Sequence, residues 1–338
     1  MPAVKNARVV VTALGGPEVM KYVEDEVPEP GPTEVRVRIL AAGVAYADVL
    51  MRRGLYPNGP KPPFTPGYDL VGEIDARGKD VTQFAVGQRV GALIMCVSYS
   101  RFAIVPARFV VPVPESLDAA EAVCLVMNYL TAYQMLHRVA KLSAGQSLLI
   151  HGAAGGVGTA LLQLGALQEI KMFGTASKSK QATISAAGAV AIDYRSEDFS
   201  KRVRELSPDG VDAVFDPVGG MNWWRSYRSL RRGGILVCYG VSSMSTRGKI
   251  AGAESFALLG ALKLIPDGRR CVWCNVGTLR DQHPDWFRED LKILFDLLAK
   301  RKIQPVVASR LPLREAPQAN ELLEHAKFIG KIVLLCQE

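Results

Sequence analysis

Between Glu169 and Asp193 this chain carries no acidic residue, and its whole length holds only four histidines, at 137, 151, 283 and 325. It also lacks an apolar run of about 20 residues, the length that a membrane-spanning helix needs. The longest candidate, Ser255–Pro266, contains a lysine and ends in proline. Charge of one sign is nowhere concentrated. The formal net charge is +8, yet basic residues gather only in short clusters: Arg52-Arg53, Arg231-Arg232, Arg269-Arg270 and Lys300-Arg301-Lys302. That scatter gives no strong nucleic-acid signal, although a mildly positive field helps to collect an anionic ligand. Met1–Arg8 lacks the apolar core of a secretory leader, so the expected location is cytoplasmic, with no transmembrane segment. Of six cysteines, four stand isolated in apolar runs, which suits small buried thiols in a reducing compartment. Cys271 and Cys274 have CxxC spacing, but no second CxxC and no helix-opening context accompany them. Neither metal binding nor redox exchange is expected there.

With 338 residues, 49% hydrophobic and 22% charged, the composition is that of an ordinary globular chain of about two domains. The first 120 residues read as antiparallel β structure. Strands are predicted at Arg8–Leu14, Glu34–Ala41, Gly67–Ala76, Arg89–Met95 and Ser100–Pro106, separated by Gly and Pro clusters. No helix is expected before Asp118, a plausible N-cap for a helix over Asp118–Val139. Strand and helix then alternate from Ser147 to Tyr239. Strands are predicted at Ser147–Ile150, Lys171–Thr175, Ala191–Asp193, Ala213–Asp216 and Ile235–Tyr239, with helices at Val157–Leu167, Gln181–Ala187, Phe199–Leu206 and Trp223–Leu230. That rhythm means a parallel, doubly wound sheet. A loop-rich stretch follows. The last 30 or so residues lose the rhythm, and their final strand, Lys331–Cys336, is expected to pack back onto the β region.

The turn from the first of those parallel strands into its helix is His151-Gly152-Ala153-Ala154-Gly155-Gly156-Val157-Gly158. Glycines there let the backbone turn sharply and approach a pyrophosphate, while the unpaired N–H groups of the following helix face its charge. Gly152, Ala154, Gly155, Gly156, Val157 and Gly158 are therefore candidate cofactor contacts. The missing acid now matters. An NAD site places a carboxylate about 20 residues past the glycines, where it accepts the ribose hydroxyls. Here that position reads Ala176-Ser177-Lys178-Ser179-Lys180. Ser177, Lys178 and Lys180 would bind a 2′-phosphate that a carboxylate would repel, so NADPH is expected rather than NADH.

Several separated stretches then share one pattern: VPEPGP at Val27–Pro32, AAGVAYADVLMRRGLYP at Ala41–Pro57, FTPGYDLVGEI at Phe64–Ile74, VGQRV at Val86–Val90, NYLTAY at Asn128–Tyr133, HGAAGGVG, DPVGG at Asp216–Gly220 and GKIVL at Gly330–Leu334. Together they resemble the medium-chain dehydrogenase/reductase superfamily over nearly the whole chain. Within it they resemble the zinc-free quinone oxidoreductase branch, in wording most like the vesicle amine transport protein-like subgroup. The resemblance implies an α/β chain of two domains, with a GroES-like β-rich catalytic domain over 1–122 and 305–338 and a Rossmann domain over 123–304. It also implies a homodimer joined near Val272–Val276, and hydride transfer from the nicotinamide in the cleft between the domains. Zinc alcohol dehydrogenases of the superfamily place a cysteine and a histidine where this chain has Ala45 and Tyr68. Alanine cannot ligate a metal and tyrosine is a rare zinc ligand, so no metal is expected. Many zinc-free members carry an asparagine at the position of Ala45, and that contact is missing here.

Without zinc to polarise a ketone, the easier hydride acceptor is a quinone or an alkene conjugated to a carbonyl, a small molecule whose oxygen takes the charge. The resemblance marks Tyr56, in GLYP, as lining the nicotinamide cleft and as a candidate proton donor, with Tyr46 nearby as a second candidate. It implies cofactor contacts at Asn128 and Thr131, at Tyr194 beside the 2′-phosphate, and at Tyr239, Gly240 and Ser242 after a sheet strand. It implies further contacts at Asn275 and Val276 on a strand segment, and at Lys331, which closes the site. Two rivals are a zinc-free alcohol dehydrogenase and a non-catalytic NADPH-binding protein with a structural, RNA- or membrane-associated role.

Overall fold

The computed structural model describes residues 5–326 and 328–337. Residues 1–4, which open the stretch read above for a leader, lie outside them. The chain divides into two compact units, Met1–Leu130 with Arg280–Glu338, and Thr131–Leu279. In chain order the first strands are β1 (Lys5–Val11), β2 (Met20–Glu26) and β3 (Glu34–Gly43), followed by helix α1 (Tyr46–Arg52). Strands β4 (Asp69–Arg77), β5 (Arg89–Leu93), β6 (Phe102–Pro106) and β7 (Val110–Pro112) come next. A helical stretch then runs through α2 (Ala119–Cys124), a π segment (Leu125–Tyr129), α3 (Leu130–Tyr133) and a second π segment (Gln134–Ala140). Asp118 caps its start, accepting the Glu121 N–H at 2.9 Å.

The alternating region follows as β8 (Ser147–His151), α4 (Gly156–Leu167), β9 (Lys171–Ala176), α5 (Gln181–Ala186), β10 (Val190–Asp193), α6 (Phe199–Leu206), β11 (Val211–Asp216), α7 (Met221–Arg228) and β12 (Leu230–Cys238). Then come α8 (Met244–Lys263), β13 (Arg270–Trp273), α9 (Val276–Gln282), α10 (Pro284–Ala299), β14 (Val307–Pro312), α11 (Ala316–Glu324) and β15 (Lys331–Leu335).

In the β-rich unit the strands are ordered β14-β15-β3-β4-β5-β7, with β6 also paired to β3. The C-terminal strand β15 runs antiparallel to β3, with Val333 opposite Gly43. It returns the chain end to the β region, as expected. Val37, Ile39, Leu70 and Ile74 fill the core between these strands. In the other unit six strands are parallel, in the order β10-β9-β8-β11-β12-β13. This is the doubly wound arrangement, and β8 is buried along its whole length, as a strand covered on both faces must be.

The structure corrects the sequence reading in four places. A helix, α1, does precede Asp118. It is only seven residues long, too short for a helical period to show. Strand β2 is absent from the sequence reading; it pairs antiparallel with β1 and leaves four of its seven residues exposed. Strand β12 starts at Leu230, five residues before the expected Ile235; its register against β11 shifts between Leu230 and Ile235, where Gly233 at φ +77° lets the strand bulge. The stretch read as loop-rich holds α8, whose amphipathic period is broken at Gly248 (φ +67°), and α9.

Candidate functional site

In the parallel-sheet unit, β8 feeds α4 through the glycine turn. Gly152 sits at φ +65°, a left-handed conformation that favours glycine. Gly158 faces the turn so closely that a Cβ there would lie 2.3 Å from the Gly152 carbonyl oxygen and 2.6 Å from Ala153. Only a hydrogen fits. Gly155 caps the helix, and the first helical bond runs from the Thr159 N–H to the Gly155 carbonyl at 2.8 Å. The N–H groups of Gly156, Val157 and Gly158 precede that bond and open the N-terminus of a 12-residue helix. Unpaired N–H groups at the start of a helix, behind so tight a turn, are able to receive a pyrophosphate.

At the end of β9, Ser177 is half-buried, Lys178 exposed and Lys180 half-buried. Burial, and then the charge of Arg195, hold the Lys180 ammonium below its ordinary pKa. Arg195 also lies over the ring of Tyr194, 5.8 Å from its centroid. Lys180, on a segment with no carboxylate between Glu169 and Asp193, and Arg195, just past Asp193, lie within each other's field, and two such cations suit a dianionic phosphate. Sequence reasoning named Tyr194, Lys178 and Lys180 but missed Arg195, whose only signal was its place directly after Tyr194.

A buried network ties the neighbouring turns together. His151 bonds Thr175 Oγ1 through Nδ1 and Ser226 Oγ through Nε2, both at 3.0 Å. Ser226 donates to Asp216 Oδ2 at 2.6 Å, and Asn222 Nδ2 and the Val218 N–H donate to the same carboxylate, each at 2.7 Å. The Ser242 N–H then donates to the Pro217 carbonyl at 2.8 Å. Burial holds the imidazole below its ordinary pKa despite the pull of Asp216, and Arg225 adds to the lowering. His151 is therefore a neutral strut, and through Pro217 the network fixes Tyr239, Gly240 and Ser242 just past β12.

Asn275 and Val276 are placed differently from the expectation. Strand β13 ends at Trp273, and Asn275 Oδ1 accepts the Thr278 N–H at 2.9 Å, capping α9 instead of extending a strand. An asparagine two residues past a strand is a natural helix start. All six cysteines are free thiols, Cys271 and Cys274 included.

In the β-rich unit a cluster of tyrosines and acids gathers from distant positions. The Tyr56 and Tyr68 hydroxyls are 2.7 Å apart. Their rings meet edge-on at 6.3 Å. Tyr68 is buried; Tyr56 is half-buried. Beneath them Asp48, on α1, accepts the Ala45 N–H at 2.9 Å, the Tyr99 O–H at 3.0 Å and the Gly67 N–H at 3.2 Å. Burial still pushes the Asp48 carboxyl up to about 7. Tyr46 opens the same helix, half-buried.

A second buried pair lies on β15 and β4. Lys331 Nζ is 2.8 Å from Asp69 Oδ2 and donates to Asn128 Oδ1 at 3.2 Å. Burial raises the Asp69 carboxyl and Lys331 pulls it back down. A Cβ on Gly43 would lie 2.1 Å from Lys331 Cε and 2.4 Å from Asp69 Oδ1, so glycine is required for this pair to close over β3. Asn128 sits in the first π segment, a wide turn of the kind found at functional sites, and Thr131 is buried one turn on. Ala45 is buried where the zinc enzymes have cysteine. Among the described residues no three His, Cys, Asp or Glu are placed to hold a metal ion. Sequence reasoning missed Asp48, Asp69 and Tyr99, and read Tyr68 only as a lost ligand.

Comparison with known proteins places the chain. Residues 31–115 match the alcohol dehydrogenase GroES-like domain, and residues 187–334 match the family described as zinc-binding dehydrogenase. The chain is 32% identical over 333 residues to a protein named quinone oxidoreductase from Pseudomonas aeruginosa, covering 97% of this chain and 99% of that one. The chain belongs to the medium-chain dehydrogenase/reductase superfamily. It is 35% identical over 334 residues to the synaptic vesicle membrane protein VAT-1 homolog of Danio rerio, covering 96% of this chain and 69% of that protein. The crystal structure of Escherichia coli quinone oxidoreductase complexed with NADPH superposes with a TM-score of 0.89 at 28% identity, covering 97% of this chain and 99% of that one. Both superfamily parts, the GroES-like β domain and the doubly wound parallel sheet, are thus present, and the chain is an oxidoreductase by family and fold. Among the described residues no helix is long and apolar enough to cross a membrane.

Proposed function

We propose that this superfamily member is a zinc-independent reductase that passes hydride from NADPH to quinones or α,β-unsaturated carbonyls. The cofactor is NADPH, and the single observation that carries the reading is the acid-free, doubly cationic segment at the end of β9. The glycine turn would hold the pyrophosphate, and Ser177, Lys178, Lys180 and Arg195 the 2′-phosphate. The crystal structure of the Escherichia coli relative in complex with NADPH supports the same cofactor here. When bound, NADPH supplies the hydride. Names of the quinone oxidoreductase relatives support the acceptor class.

The chain's own part is to hold the acceptor's oxygen. Hydride added at the β-carbon of an enone leaves an enolate, and the charge rests on oxygen. The half-buried Tyr56 hydroxyl would donate a hydrogen bond to that oxygen and then its proton, and solvent water would return the proton to the Tyr56 phenolate. Ala45 and Tyr68 at the zinc-ligand positions favour chemistry without a metal. We further propose a homodimer. Among the described residues the edge strand β13 is unpaired on one side, and Trp273 on it and Leu264 at the end of α8 are 38% and 82% exposed, so a second copy would cover them. Light scattering at micromolar concentration tests this, and a monomer refutes it.

NADPH oxidation against a panel of quinones, enones and enoyl thioesters, before and after dialysis against a chelator, tests the catalytic reading. Turnover that survives chelation is expected. NADPH binding with no turnover on any acceptor would favour a non-catalytic NADPH-binding protein.

A further inference from the structure

The hydrogen bond between Tyr56 and Tyr68 has two hydroxyls and therefore a direction. Tyr68 is 5% exposed, and among the described residues its hydroxyl has no hydrogen-bond partner other than Tyr56, 2.7 Å away. If Tyr56 donated, the Tyr68 proton would be left buried without an acceptor, an uncompensated desolvation that native structures avoid. If Tyr68 donates, both groups are satisfied, because Tyr56 is the more exposed of the two and its own proton is then free to meet solvent or a ligand. Burial first, and then neighbouring Tyr56, Asp48 on α1 and Cys96 on the loop after β5, hold the Tyr68 hydroxyl well above the ordinary tyrosine range. It stays protonated, and so a donor, at every working pH.

We propose that Tyr68 is a positioning residue: it donates to Tyr56, turns the Tyr56 proton out toward the acceptor's oxygen, and steadies the Tyr56 phenolate once that proton has left. The proposal rests on the reading of Tyr56 as the donor. It gives a purpose to a tyrosine that stands where the superfamily's zinc enzymes place a histidine ligand. Phenylalanine at this position keeps the buried ring and its edge-on packing, so the fold has no reason to change.

The test is single-turnover reduction of an enone at saturating NADPH by the unmutated protein, Tyr68→Phe, Tyr56→Phe and the double variant, across pH. Tyr68→Phe should slow the step about tenfold or more, the worth of one hydrogen bond to a charged group. It should leave NADPH affinity unchanged and move the alkaline limb of the profile to higher pH. The double variant should be no slower than Tyr56→Phe alone, because Tyr68 acts only through Tyr56. A loss under about threefold, or a double loss equal to the product of the single ones, overturns the proposal. If Tyr56→Phe itself is harmless, the assignment of Tyr56 has failed, and the direction of the bond is then decided by titrating Tyr56 with isotope-labelled tyrosine in NMR. Tyr68→Phe raises the titration midpoint of Tyr56 if Tyr68 donates. An unchanged or lowered midpoint contradicts it.

Discussion

The glycine turn of the parallel-sheet unit and the tyrosine–acid cluster of the β-rich unit are built from opposite materials. The turn is made of backbone. Its N–H groups, its positive φ at Gly152 and its close approach at Gly158 all lie within eight consecutive residues. The cluster is made of side chains drawn from Asp48, Tyr56, Tyr68 and Tyr99, and beside it Lys331 crosses 203 residues to reach Asn128. A backbone site depends on what is absent from the side chain, so it tolerates few residues and shows plainly in a sequence. A side-chain site depends on which distant strands meet, and it shows only once the sheet is formed.

That contrast can be broken most forcefully at Gly158. A valine there must displace the Gly152 carbonyl, so Gly158→Val should weaken NADPH about a hundredfold or more, about 2.7 kcal/mol, while the β-rich unit keeps its fold. Isothermal titration with circular dichroism checks both. Affinity within about threefold of the unmutated protein would mean that the turn is not the pyrophosphate cradle.

A smaller effect is expected at the phosphate end. Lys180→Ala or Arg195→Ala should each cost about 1.5–3 kcal/mol of NADPH binding, roughly 10- to 150-fold, with NADH nearly unchanged. Equal affinity of the unmutated protein for the two cofactors would remove the phosphate from the account.

The side-chain cluster is sharpened by pH. The Asp48 carboxyl is raised from 3.8 in the unfolded chain to about 7 when folded. A raised group contributes stability that is complete below the lower value and is lost as pH climbs through the upper one. Relative to Asp48→Asn, the unmutated protein should lose stability between pH 4 and 7, by at most about 1.4 kcal/mol per pH unit, and change no further above that. Denaturant unfolding across this range checks it. A difference that is flat with pH would show Asp48 to be ionised throughout.

How much was legible follows the same division. The turn, the missing acid and the strand–helix rhythm from Ser147 to Cys238 were readable because each is local: glycine spacing, charge, period. Asp118 was readable as a cap for the same reason. Helix α1 was not, because seven residues complete barely two turns and its cap acceptor, Asp48, lies inside the helix. Helix α8 was hidden by Gly248 and by polar residues scattered around it. Asp69 and Gly43 looked like ordinary strand residues, and only the return of β15 beside β3 brings Lys331 onto both. Tyr68 was visible but understood only as a lost metal ligand. Its bond to Tyr56 depends on the Gly67 turn that opens β4.

The most direct test of the central claim is the rate of single-turnover hydride transfer to an enone at saturating NADPH, compared between the unmutated protein and Tyr56→Phe. Loss of one donor to the developing oxyanion predicts a fall of about 10²–10³ in rate with NADPH affinity unchanged. A fall of less than about threefold, under 1 kcal/mol, would contradict the account and return Tyr56 to a packing role.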